Sequence, residues 1–302
     1  MEMTWKMRFR IAGAMLAGIV LLGILTGPVI RPADPESAIT LYQAGIKPMA
    51  IASCFAMAFV SGLLAFFIAW PFGRELAVLA APAGLAYWAC SSGNMFSLII
   101  LNSGFAERKT LYSAMKWEGF FWLAVVACGW LGSIVAARLS KAKPIAIPGI
   151  PQEKPGSVNL LNIVSGLAVS VVIANFVLIA LAQDVRIFDS KLGSVIGQPG
   201  TAQIAFAVLV AFGLAAYCSK YFLDIGHIYT VIAAAVLLFL VFSWYSGNTA
   251  KMQYMSESKA NAFFPNAICA ILPLQILAFA PIGAVAGYWL AVKTHYHRQN
   301  PS

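Results

Sequence analysis

Residues 159–182 read NLLNIVSGLAVSVVIANFVLIALA, an apolar run in the middle of the chain with no charged side chain. An α-helix needs roughly 20 such residues to cross a bilayer. Seven more runs of comparable character lie at about 11–30, 48–70, 76–91, 115–138, 203–222, 226–245 and 267–292. Only helices and closed barrels satisfy the backbone in lipid, and long unbroken runs exclude the alternating pattern of a barrel. The expected fold is an all-α polytopic transmembrane helical bundle of about eight spans.

Composition agrees. The 302 residues are 61% hydrophobic and 10% charged, against about 25% charged in a soluble domain. The formal charge of +9 lies at the ends of the apolar runs, and no basic stripe with interleaved aromatics occurs. The lipid bilayer is therefore the expected partner, and nucleic acid is not. Residues 6–27, KMRFRIAGAMLAGIVLLGILTG, share features with a signal peptide, but the apolar part is too long and no A-x-A cleavage site follows. A retained anchor is expected. No N-x-S/T sequon with x other than Pro is present.

Residues 141–157, KAKPIAIPGIPQEKPGS, form a Pro-rich linker, because Pro removes backbone donors and favours extended chain. The linker divides the chain into a first four-helix repeat (1–140), a boundary (141–158) and a second four-helix repeat with a short tail (159–302). The two halves correspond. Arg31-x-x-Asp34, eight residues and Gln43-x-Gly45 recur as Arg186-x-x-Asp189, eight residues and Gln198-x-Gly200, all at an offset of 155. Gly93-Asn94 and Gly247-Asn248 correspond at 154, as do Gly129-x3-Ser133 and Gly283-x3-Gly287. We read a tandem (4+4) parallel duplication, related by an axis along the membrane normal. After Ser-Gly-Asn the halves diverge, into apolar Met95–Leu101 and polar 251–259. Lys and Arg near the first anchor and the linker place both termini in the cytoplasm, with the chain in a bacterial inner membrane.

The candidate sites begin with the outer loops. Each Arg is expected to anchor to headgroups and lie near its own Asp, with the loops folded onto the helix ends, as matching surfaces for a partner or ligand. Gly23-x3-Gly27, Gly129-x3-Ser133 and Gly283-x3-Gly287 let helices approach closely, and the two fourth helices are expected to press on each other. Trp88 and Trp244 mark membrane exits. Span centres lack charges, so an ion-coupled carrier with a buried carboxylate or Arg is not supported. Glu118 is the most asymmetric acid and reads as a solvated interfacial carboxylate. Asp224 and His227 sit at a tight inner turn. Gln275, between Pro273 and Pro281, belongs to a helix expected to kink.

No catalytic, metal or cofactor set emerges. The chain has three His, two of them in the tail, and five Cys without a CxxC. A Cys90–Cys269 disulfide is conceivable. The expected function is a non-enzymatic membrane subunit or scaffold, with other membrane subunits as partners. The alternative is a facilitative transporter or channel for a small neutral or apolar solute, ahead of a membrane enzyme.

Overall fold

A helix in lipid closes its backbone hydrogen bonds within its own segment, and each apolar run supplies a long helix. The computed structural model describes residues 5–32, 37–42, 48–141, 159–191, 193–257, 264 and 266–299. Helix α1 spans Trp5–Leu25, and its last stretch, Ile19–Leu25, is a π-helix. Then come α2 (Pro48–Ile68), α3 (Gly73–Ser91), α4 (Met95–Leu101), α5 (Phe105–Leu139) and α6 (Leu160–Leu181). The second half continues with α7 (Thr201–Leu223), α8 (His227–Gly247), α9 (Thr249–Glu257) and α10 (Pro273–Gln299). Among the described residues seven helices are long and apolar enough to span, and up to eight spans result if α3 and α4, bent by 53°, count as one. The molecule is an all-α polytopic bundle.

Three details differ from the sequence expectation. The second outer loop forms an antiparallel hairpin of β1 (Val185–Asp189) and β2 (Gly193–Gly197), with Val185 opposite Gly197 and Asp189 opposite Gly193. Gly193 has φ +76°, where L side chains are strained. Helix α5 starts ten residues before the expected 115, because apolar residues recur on one face of its polar extension, at Leu111, Tyr112 and Met115. The last helix starts at Pro273 instead of 267. Pro suits a first turn, where its missing N–H needs no partner. Pro273 therefore opens the helix, and Pro281 alone lies inside it.

Residues 69–73 and 224–226 lie at one end of the bundle, here the turn face. The hairpin, α4 and α9 lie at the other, the loop face. Helix α2 packs on α5, and α7 packs on α10. Across the two halves, α3 meets α10 and α8 meets α5. Helices α1 and α6 are the least enclosed spans, and α10 is the most enclosed. One hydrophobic core runs through both halves, with Trp88, Trp122, Phe212 and Phe242 among its largest members.

The small residues explain the closest approaches. A Cβ on Gly62 would overlap the Gly129 carbonyl, and one on Gly132 the Phe59 carbonyl. In the second half a Cβ on Gly283 would press on the Leu209 carbonyl and one on Gly287 would overlap that of Gly213. The small faces of α5 and α10 therefore seat on α2 and α7 and not on each other, although α5 and α10 do touch elsewhere. Ser133 is buried and donates back to the Trp130 carbonyl at 2.7 Å. Gly23 lies under the Tyr87 ring, and Gly27 lies near the Trp88 indole nitrogen. Cys90 and Cys269 are both free thiols, the first exposed and the second buried, so the conceivable disulfide is not formed. Burial pushes the Cys269 thiol up to about 12.

Candidate functional site on the loop face

Ser-Gly-Asn proves to be a joint between two helices in each half. Asn94 Oδ1 accepts from the Ser97 backbone N–H at 3.3 Å and starts α4. Asn248 Oδ1 accepts from the Lys251 N–H at 3.2 Å and starts α9. A short polar side chain before a helix satisfies a donor that has no partner in the first turn. The tryptophans ahead of these joints behave differently. Trp244 is half-exposed, with the Lys251 ammonium 4.8 Å from its ring centre. Trp88, expected as an interfacial anchor, is fully buried. Its indole N–H donates to the Gly23 carbonyl at 2.7 Å, inside the π-helical stretch, and its ring meets Trp122 edge-on at 6.2 Å.

Glu118 also departs from expectation. It is buried rather than solvated. Its Oε1 accepts from the Trp122 indole N–H at 2.9 Å, and the Leu41 backbone N–H donates to the same carboxylate. A buried carboxylate is tolerated only when such donors surround it. Glu118 thereby fastens the first outer loop to α5. The Gly93 N–H adds a bond to the Ser37 carbonyl at 3.2 Å, and Arg31 Nη2 donates to Ser91 Oγ at 3.1 Å. Asp34, Gln43 and Gly45 lie outside the described residues.

In the second loop Arg186 and Asp189 stand three apart on β1, so their side chains point to opposite faces. The Asp189 carboxylate accepts from the Lys191 N–H at 2.8 Å, and the expected Arg–Asp pairing does not form there. Gly200 precedes α7 and is exposed. Gln198 does more: its Oε1 accepts from the Phe96 N–H at 3.2 Å, joining the second outer loop to α4 of the first half.

Two residues that the sequence reading passed over complete this surface. Arg108 is buried, and its Nη1 donates to the Met255 carbonyl at 3.2 Å. Tyr112 Oη donates to the Cys269 carbonyl at 3.0 Å, and its ring stands edge-on to Tyr245 at 4.6 Å. Their signal was present: 108, 112, 115, 119, 122 and 126 recur every three to four residues and continue one helical stripe out of the bilayer.

The remaining candidates serve the scaffold. Gln275 Oε1 accepts from the Leu272 N–H at 3.0 Å at the start of α10, and its buried Nε2 has no partner among the described residues. On the turn face Asp224, in the left-handed region at φ +53°, pairs with Lys220 at 2.6 Å. Lys220 lies 5.3 Å from the Tyr288 ring centre, and the His227 ring meets Tyr288 edge-on at the same separation. Among the described residues no three His, Cys, Asp or Glu side chains gather to hold a metal ion. Compared with family models, curated proteins and solved structures, the chain matches none, so any function rests on this surface and its chemistry.

Proposed function

We propose that the chain is a non-enzymatic membrane subunit or scaffold that offers its loop face to another membrane protein. The carrying observation is the set of bonds that ties both halves into one surface: Gln198 to Phe96, Arg108 to Met255 and Tyr112 to Cys269. Fixed backbone and half-buried polar groups lower the ordering cost of association. Below this surface the halves touch directly, with Gly119 against Leu238 and Tyr112 against Phe242. The matching pairs α2–α5 and α7–α10, with the reciprocal pairs α3–α10 and α8–α5, support the duplicated four-helix unit. The Lys and Arg bias supports cytoplasmic termini in a bacterial inner membrane.

The test uses two exposed aromatics of this face, Phe188 on β1 and Tyr254 on α9, since aromatic side chains commonly anchor interfaces. The protein is extracted gently from its native membrane, and stoichiometric companions are quantified for the wild type and for Phe188→Ala with Tyr254→Ala. The double variant should lose the companion while melting like the wild type. A chain that comes alone and carries neutral solutes across liposomes would favour the facilitative transporter instead. Reporter fusions within 141–157 test the orientation, and an extracytoplasmic signal would reverse it.

A further inference from the structure

Two grooves in the second half meet end to end. One lies between α6 and α8, with a volume of 340 Å³ and walls that include Val172, Phe176, Leu240 and Trp244. The other, of 640 Å³, lies above it on the loop face, with Gln183, Asp184 and Arg186 on its walls. Asn266 lines both. On α6 the positions Val171, Asn175 and Ile179 fall four apart, and Gln183 follows two residues past the helix end, so this one segment lines both grooves. At 1.5 Å per residue the helical part of that ridge, Val171 to Ile179, is about 12 Å long, against a hydrocarbon core of about 30 Å. It therefore covers roughly one leaflet.

Chemistry changes along the ridge as it changes along a phospholipid. The deep part is apolar, and Val172, Phe176 and Leu240 are exposed to hydrocarbon. Higher up stands Asn175, whose side chain makes no hydrogen bond to any described residue. It lies six residues before the end of α6, about 9 Å below the helix end. An amide facing hydrocarbon without a partner is costly. At the rim stand exposed Arg186, the Asp184 carboxylate, which accepts from the Phe264 N–H at 3.3 Å, and, beyond Trp244, Lys251.

We propose that this continuous groove holds one phospholipid of the loop-face leaflet. The phosphate sits between Arg186 and Lys251, where a guanidinium matches its oxygens. An ester carbonyl accepts from the Asn175 amide, and one acyl chain lies against Val172, Leu240 and Val241. A transmembrane helix of a partner would ask for close-packing small residues along the same path. The groove offers instead an apolar floor leading into a polar mouth that holds Arg186 beside Asp184. The inference stands apart from the subunit reading and holds for a carrier as well.

The protein is reconstituted in nanodiscs containing phosphatidylethanolamine and phosphatidylglycerol, a fraction of each carrying a diazirine in its acyl chain. After illumination, adducts are mapped by peptide mass spectrometry. Labelling should concentrate in 160–181 and 227–247, and Asn175→Leu with Arg186→Ala should reduce it about tenfold, the factor that roughly 1.4 kcal/mol confers. These positions face lipid or water, so the bundle should tolerate the change. If the double variant fails to fold, Leu240→Trp, which fills the groove from the lipid side, provides the same reading. Even labelling of every lipid-facing helix, unchanged labelling in a folded variant, or a crosslink from this groove to another polypeptide would each overturn the proposal.

Discussion

Helices α5 and α10 are alike where they cross the bilayer and differ where they leave it. In the crossing part both present small residues to the second helix of their own half: Gly129 and Gly132 to Gly62 and Phe59, Gly283 and Gly287 to Leu209 and Gly213. Toward the loop face α5 continues as helix from Phe105, whereas α10 begins at Pro273 after a 3₁₀ turn, Ala267–Ala270. Leu272 stands at the position of Glu118 under the offset of 154. Each half leaves a backbone N–H to satisfy near the membrane edge. In the first half the Glu118 carboxylate takes the N–H of Leu41 from a separate loop. In the second the Gln275 amide takes that of Leu272, three residues back. Small residues set how near two helices lie, while a single polar acceptor sets what the neighbouring loop can do.

The shared part of the comparison breaks most violently. Gly287→Leu must displace the Gly213 backbone, and Gly132→Leu must displace that of Phe59. Overpacking costs about 3 kcal/mol or more where backbone is the obstacle. Both variants should lose most of the folded population in detergent, by thermal melting or size-exclusion profile. Equal sensitivity in the two halves would sharpen the correspondence. A normal melting temperature for either would show that its close approach does not hold the bundle together.

The differing part responds next. Glu118→Leu removes the carboxylate, and it leaves the Trp122 indole N–H and the Leu41 N–H without their acceptor. An orphaned buried donor costs about 1–3 kcal/mol. Glu118→Gln retains an acceptor oxygen and should cost less. Hydrogen exchange over residues 37–42 should rise in Glu118→Leu and remain near wild type in Glu118→Gln. Equal exchange in both variants would mean that the loop is held by other contacts.

What could be read in advance follows from the same contrast. Bilayer crossing is written in long apolar runs, because lipid offers the backbone no other partner, and the spans around 48–68, 160–181, 201–223 and 227–247 were legible to within a few residues. Small-x3-small spacing announced close contacts but not their partners, since a stripe of glycine fits any facing backbone. Glu118 was misread because charge near a run's edge commonly means water. One of its two donors is the Leu41 backbone, 77 residues away in sequence, and no local pattern encodes that. The hairpin was equally hidden: Val185 to Gly197 is short and Gly-rich, without a strong alternating stripe. Arg108 and Tyr112 were findable by following the helical period past the end of the apolar run.

The smallest effects belong to the joints. Asn94→Ala and Asn248→Ala each remove one cap from a helix of 7 or 9 residues, at about 1 kcal/mol. The global melting temperature should scarcely move, because neither cap lies in the bundle. Hydrogen exchange should rise instead in Met95–Leu101 for the first variant and in Thr249–Glu257 for the second. The response should be larger in α9, the more polar of the two helices, which has less apolar surface to hold it once its first turn frays. In α4, Met95 and Leu98 are fully buried, and the Gln198 bond to Phe96 remains. If α4 proved the more sensitive helix, the tie between the halves would depend on the cap more than on packing. The loop face would then act as two separately ordered pieces rather than one surface.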